Sequence, residues 1–149
     1  LTLRKLGRRR RLRRGEAIAW AGEESRNCAN VLSGILKVSA LTSDGREQIV
    51  GLLYPSDFAG QPFMGSCEFS VTALGEAEIC IFPKADFEAF LSTRIDMTQA
   101  LLRRTFETLS DARRRMLLLG RQSAGERIAD FLLQMLDRTG GCSASPGGL

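Results

Sequence analysis

The sequence predicts a mainly β protein with a helical tail: a small antiparallel roll or barrel, then long helices. Three observations predict it. Up to Pro83, short apolar runs alternate with Gly, Ser, Asp and Pro at the spacing of short strands and turns. Beyond Pro83 helix formers dominate, and no proline or glycine falls between Asp96 and Leu119. Inside that stretch apolar residues recur every seven positions.

Taken in order, Gly15-Glu16 and Ala21-Gly22-Glu23-Glu24 are turns around a short Ala17–Trp20 strand. Val31-Leu32 enters Ser33-Gly34. Ile35, Lys37 and Ser39 then alternate with Leu36, Val38 and Ala40, the period of a half-buried strand. Ser43-Asp44-Gly45 is a hairpin turn, because Asp-Gly tolerates the positive φ that such turns need. Gln48–Tyr54 returns as a strand ended by Pro55, and Phe69–Leu74 with Ile79–Phe82 forms a further pair joined through Gly75-Glu76-Ala77. Lys84–Ser92 is a short helix with Phe87, Phe90 and Leu91 on its apolar side. In the long helix from Asp96 to Leu119, Leu102, Leu109 and Met116 form one seven-residue series. Thr105, Ala112 and Leu119 form the other. Together they make a seam suited to a homodimer, or to a helix covering its own β-domain. Ser123, with Glu126 three positions on, caps a further helix whose apolar side holds Ile128, Phe131, Leu132, Met135 and Leu136. Thr139-Gly140-Gly141 stops it, and the ending in Ser-Pro-Gly-Gly-Leu reads as cut before another domain.

Composition narrows the function. The 149 residues are 44% hydrophobic with a mean hydropathy of -0.08, so a packed core is affordable and no apolar run spans a bilayer. A soluble, cytoplasmic protein with no membrane partner is expected. Arg4, Lys5, Arg8–Arg11, Arg13 and Arg14 hold eight of the 21 basic groups, and without them the formal charge falls from +4 to −4. That tract suits phosphates or an acidic membrane surface, or simply a solvated strand edge or a partner-facing surface. The chain has no histidine, which removes the usual acid–base residue and the usual nucleophilic triads. No carboxylate pair sits in a catalytic setting, so an enzyme is not expected. Cys28, Cys67, Cys80 and Cys142 lack close metal-ligand spacing.

The chain resembles the cyclic-AMP-receptor/fumarate-nitrate-reduction superfamily of transcription regulators along nearly its whole length. The resemblance is carried, in order, by Arg14-Gly15-Glu16, Ala21-Gly22-Glu23, Leu32-Ser33-Gly34 and Asp44-Gly45-Arg46-Glu47-Gln48. Pro55-Ser56-Asp57-Phe58-Ala59-Gly60, Met116–Arg121 and Ala124–Leu132 continue it. It is nearest the alphaproteobacterial, oxygen-sensing type. It implies a cyclic-nucleotide-binding-like double-stranded β-helix (jelly roll) over residues 1–92 and a dimerisation helix over 93–120. Residues 121–149 would then be a hinge and the start of a truncated helix-turn-helix domain. The implied partners are a second copy, promoter DNA and RNA polymerase, the last two through the full-length protein.

Members that bind cyclic nucleotides meet the cyclic phosphate with an arginine after a Gly-Glu pair, a forked, charge-assisted contact. Here the segment reads Gly60-Gln61-Pro62-Phe63-Met64-Gly65-Ser66-Cys67-Glu68-Phe69-Ser70, with no arginine between Arg46 and Arg94. Cyclic nucleotide is therefore disfavoured, with only backbone amides left to hold a phosphate. In oxygen-sensing relatives three cysteines before the β-domain and a fourth in a late strand hold an iron–sulfur cluster. Cys80 matches the fourth. The resemblance thus implies Cys80 as metal and cofactor ligand of a [4Fe-4S] cluster in the full-length protein, not in this fragment. The plain alternative is a small core cysteine. Two rivals stay open: a cyclic-nucleotide-responsive regulator, and the dimerisation module of a non-transcriptional signalling protein.

Overall fold

The computed structural model describes residues 6–120 and 123–140. They fall into two compact units, 1–94 and 95–149.

The first unit carries eight strands: β1 (Arg8–Leu12), β2 (Ala17–Ala19), β3 (Asn27–Ser33), β4 (Leu36–Leu41), β5 (Glu47–Leu53), β6 (Phe58–Ala59), β7 (Ser70–Ala73) and β8 (Ala77–Pro83). They form two antiparallel sheets, β1-β8-β3-β6 and β2-β7-β4-β5. This is the expected jelly roll. Alternation builds the core: Ala29, Val31, Ile79 and Ile81 from one sheet meet Leu36, Val71 and Ala73 from the other. Leu36 and Ile79 are wholly buried.

The basic tract, for which a solvated strand edge was one of the readings, forms such an edge, and one further short strand was not anticipated. β1 is almost all arginine, so no apolar pattern announces it; it is the solvated sheet edge, with only Leu12 turned inward. β6 is two residues long. β3 also begins four residues before Val31.

The expected pairing of Phe69–Leu74 with Ile79–Phe82 is corrected. β7 bonds to β2 and β4, whereas β8 bonds to β1 and β3, so the chain crosses between sheets after Ala73. A roll of two sheets needs such crossings, and short-range turn chemistry cannot distinguish one from a hairpin. The crossing runs against Gly34 (φ 80°), where a Cβ would lie 2.5 Å from the Glu76 carbonyl oxygen.

On the outer face of the second sheet, Lys37 Nζ reaches both Glu47 carboxylate oxygens at 2.6 and 2.7 Å, and Ser39 Oγ donates to the same carboxylate at 2.8 Å. The Lys37 contact, then that of Ser39, holds the Glu47 carboxyl below its ordinary range. A bulge shifts register between Val38 and Ser39, which face Gly51 and Ile49.

Helix α1 (Lys84–Thr93) follows β8 and buries Phe87, Phe90 and Leu91, as its spacing predicts. Phe87 stacks on Phe82 and Phe58, with ring centroids 5.0 and 5.3 Å apart.

The second unit contains α2 (Ile95–Leu119), unbroken for 25 residues, and α3 (Ala124–Gly140). The predicted cap is present: Ser123 N–H donates to Glu126 Oε2 at 2.7 Å, and Glu126 N–H donates to Ser123 Oγ at 3.3 Å.

Candidate functional site

The segment that would face an effector, residues 60–68, is tied down by its own neighbours. Gly60 (φ 131°) lies on Cys28, where a Cβ would come within 2.9 Å of the thiol sulfur. Phe63 adopts φ 66°, a left-handed conformation unusual for a bulky residue. Its N–H donates to Glu88 Oε1 at 2.6 Å, while Lys84 Nζ donates to the Met64 carbonyl. Lys84 and Glu88 are one turn apart on α1 and 3.6 Å from each other. The Met64 N–H donates to the Gln61 carbonyl at 3.3 Å, Cys67 N–H to Glu23 O at 2.8 Å, and Glu68 N–H to Gln61 Oε1 at 3.2 Å. Four backbone amides that could have cradled an anion thus donate internally. Gln61, a candidate for a ribose hydroxyl, already accepts one of these bonds. Lys84 and Glu88 were missed in the sequence, because nothing marks a helix i,i+4 pair as the clamp of a loop twenty residues earlier.

Cys80 lies on β8 facing away from the core that Ile79 and Ile81 enter. Its register neighbours are Arg9 on β1 and Asn30 on β3. The residue is half-buried, unlike buried Cys28, and the chain entering β1 passes over its sulfur at Gly7. A Cβ on Gly7 would sit 2.5 Å from Cys80 Sγ. Cys28 is buried, and desolvation pushes its thiol up to about 12. Cys67 is in the tied segment, and Cys142 lies outside the described residues. Among the described residues no three His, Cys, Asp or Glu side chains are grouped to hold a metal ion.

Helix α2 buries none of its residues. Leu102, Leu109, Met116 and Leu119 are 54%, 41%, 70% and 61% exposed. Thr105 is exposed and donates its hydroxyl to the Leu101 carbonyl at 2.9 Å. Ala112 is half-buried. The seven-residue series reaches one heptad further back, to exposed Ile95, and Phe106 lies one turn from both Leu102 and Leu109. Both could have been found by the same spacing rule.

Residues 9–94 match the cyclic nucleotide-binding domain family. The nitrogen fixation regulation protein FixK of Bradyrhizobium diazoefficiens is 38% identical over 133 residues, 89% of this chain and 56% of that protein. The transcriptional activator protein FnrL of Cereibacter sphaeroides is 37% identical over 131 residues, 88% of this chain and 53% of that protein. The structure of FixK2 from Bradyrhizobium japonicum superposes with a TM-score of 0.81 at 29% identity, covering 89% of this chain and 67% of that one. The chain spans about half the length of the curated relatives it matches. Their names are those of regulators and activators. With its two-sheet roll, following helices and these matches, the chain belongs to the cyclic nucleotide-binding domain family, in its cyclic-AMP-receptor/fumarate-nitrate-reduction branch.

Proposed function

We propose that this chain is the sensory and dimerisation part of a bacterial transcription regulator of the cytoplasm. The intact protein would pair through Leu102, Thr105, Leu109, Ala112, Met116 and Leu119, and would act on promoter DNA and RNA polymerase. The observation that carries this reading is α2: 25 unbroken residues with an exposed apolar seam and no buried side chain. A solitary helix of that kind leaves its apolar stripe in water, and a second copy removes it. Residues 1–92, 93–120 and 121–149 would serve as effector roll, dimerisation helix and hinge into a DNA-reading domain. Sedimentation of the full-length protein with and without a target duplex tests this. A monomer at every concentration, with no sequence-specific DNA binding, refutes it.

For the signal we propose oxygen, sensed in the intact protein with Cys80 as one cluster ligand. The residues present do not fit a [4Fe-4S] cluster by themselves, since four good donors are needed and Cys28 is buried with a raised pKa. What supports Cys80 is its place on the outer face of β8, half-buried, with its sulfur directly under Gly7 at the entry to β1. Anaerobic reconstitution of the full-length protein should give stoichiometric iron and visible absorbance, both lost in Cys80→Ser. Absence of iron in the parent protein refutes the assignment. Saturable heat with cyclic AMP at micromolar concentration would favour the nucleotide-responsive alternative, against which the missing arginine and the internally bonded amides both count.

A further inference from the structure

The charges beside the α2 seam are unbalanced. From Leu102 to Leu119 the seam advances in alternating steps of three and four residues. Leu102, Leu109 and Met116 therefore take the first position of each heptad, and Thr105, Ala112 and Leu119 the fourth. The fifth and seventh positions flank this stripe on opposite sides. In α2 they are Gln99, Phe106 and Arg113 on one flank, and Leu101, Thr108 and Arg115 on the other. None is acidic. The flanks are uncharged in the first half of the helix and cationic in the second. Arg113 and Arg115 are both exposed. The residues one turn from Arg113 are Leu109, Ser110, Met116 and Leu117, none of them an acid. Asp111, one turn before Arg115, lies 3.7 Å from Arg138 of α3. Arg114, between the two, falls on the far side of the helix from the stripe.

A twofold pair whose helices both lead into DNA-reading domains is parallel. There the fifth position of one helix shares a flank with the seventh position of the other. Arg113 of one copy then stands beside the partner's Arg115, offset by two residues, about 3 Å, along the axis. Symmetry repeats the pair on the opposite flank. With helix axes about 8–10 Å apart, the two guanidinium groups of a flank lie near the screening length of physiological salt, and no acid stands between them. Such a pair repels until an anion bridges it. Guanidinium forks match phosphate oxygens two at a time, and an open helix flank selects its ligand by charge rather than by an enclosing shape. We propose that Arg113 of one copy and the partner's Arg115 bind a small multivalent phosphate anion on each flank of the seam, and that this anion tightens pairing. The inference rests on the pairing proposed above.

The test is sedimentation velocity of the full-length protein across a concentration series, with and without millimolar inorganic pyrophosphate. Sodium chloride makes up the ionic strength of the reference buffer, so screening is the same in both. Pyrophosphate should lower the parent's dimer dissociation constant about fivefold or more. The double variant Arg113→Gln, Arg115→Gln should respond less than about twofold. Without pyrophosphate it should pair at least as tightly as the parent, because the repulsion is gone. Arg114→Gln removes a neighbouring charge from the far side of the helix and should respond as the parent does. A parent dimer indifferent to pyrophosphate overturns the inference. So does a double variant that keeps the response, or that pairs more weakly than the parent in the reference buffer. Loss of the response in Arg114→Gln to the same extent overturns it too, as does tightening by polyglutamate or duplex DNA but not by pyrophosphate. A parent that is monomeric at every concentration sinks the pairing itself, and this inference with it.

Discussion

Truncating Leu102 to alanine tests the seam most directly, because alanine favours the helix at least as well as leucine and leaves α2 intact. Leu102 is 54% exposed in the single chain, so roughly half its surface remains to be covered by a partner. Full burial of a leucine stabilises by about 1.5–3 kcal/mol, so the uncovered half is worth about 0.8–1.6 kcal/mol per subunit. Twofold symmetry brings both copies of the residue into the interface. The expected loss is therefore about 2–3 kcal/mol per dimer, a dimer dissociation constant about 30- to 150-fold weaker. Sedimentation velocity on the full-length protein across a concentration series measures it. Leu109→Ala, starting from 41% exposure, should cost somewhat less, and Met116→Ala, from 70%, at least as much. Glu107→Ala, on the charged surface, should leave the constant within about threefold. If all three apolar truncations leave it equally unmoved, the seam is not where two chains meet and the reasoning fails.

Gly34→Ala should destabilise the roll by about 3 kcal/mol or more, read by urea unfolding, because a Cβ at φ 80° would strike the Glu76 carbonyl and the Ala77 backbone at 2.5 and 2.7 Å. A loss below about 1 kcal/mol would mean that the crossing strand does not lie on that turn. Cys28, buried with its thiol pushed up to about 12, should resist iodoacetamide at neutral pH and be modified only as the roll unfolds; mass spectrometry showing it modified as fast as Cys67 would contradict the packing under Gly60. The Glu47 carboxyl is held below its ordinary value by Lys37 and Ser39, so its contribution is present above the unfolded pKa of 4.5 and disappears as pH falls through the lowered one. Glu47→Gln should therefore reduce the melting temperature at neutral pH and flatten its decline in acid; an unchanged acid limb counts against the cluster.

What could be read in the sequence was what short-range physics writes there. β4, the Asp44-Gly45 turn, β5, α1, α2 and the Ser123–Glu126 cap each follow from period, turn chemistry or capping. β1 could be named only as one of several readings of a basic tract, because its arginines carry no alternation; the pairing of Leu12 with Ala77 on β8 makes it a strand, and that partner is far away in the sequence. The β7–β8 crossing escaped for a related reason: Gly75-Glu76-Ala77 suits a hairpin locally, and only the competing partners of each strand decide against one. At the site, the missing arginine was visible by inspection. That Glu88 and Lys84 close over Phe63 and Met64 was not, since it requires α1 to lie beside that loop.

An effector biases pairing only if it binds one state better than the other, so the bonds it must displace decide where a signal can enter. In residues 60–68 a ligand would have to take the Phe63 amide from the Glu88 carboxylate and the Met64 carbonyl from the Lys84 ammonium. Hydrogen bonds to charged groups are worth about 1.5–3 kcal/mol each, and the segment contains no arginine of its own to offset the loss. The outer face of β8 is different. Cys80 is partly exposed beneath Gly7, and two residues on, Phe82 stacks on Phe87 of α1, the helix that leads through Arg94 into α2. A change at the Cys80 thiol would press on the chain at Gly7, and β8 carries the Phe82 contact to α1. On the proposed reading, the signal would enter at this end of the roll, where the bonds to be displaced are fewest.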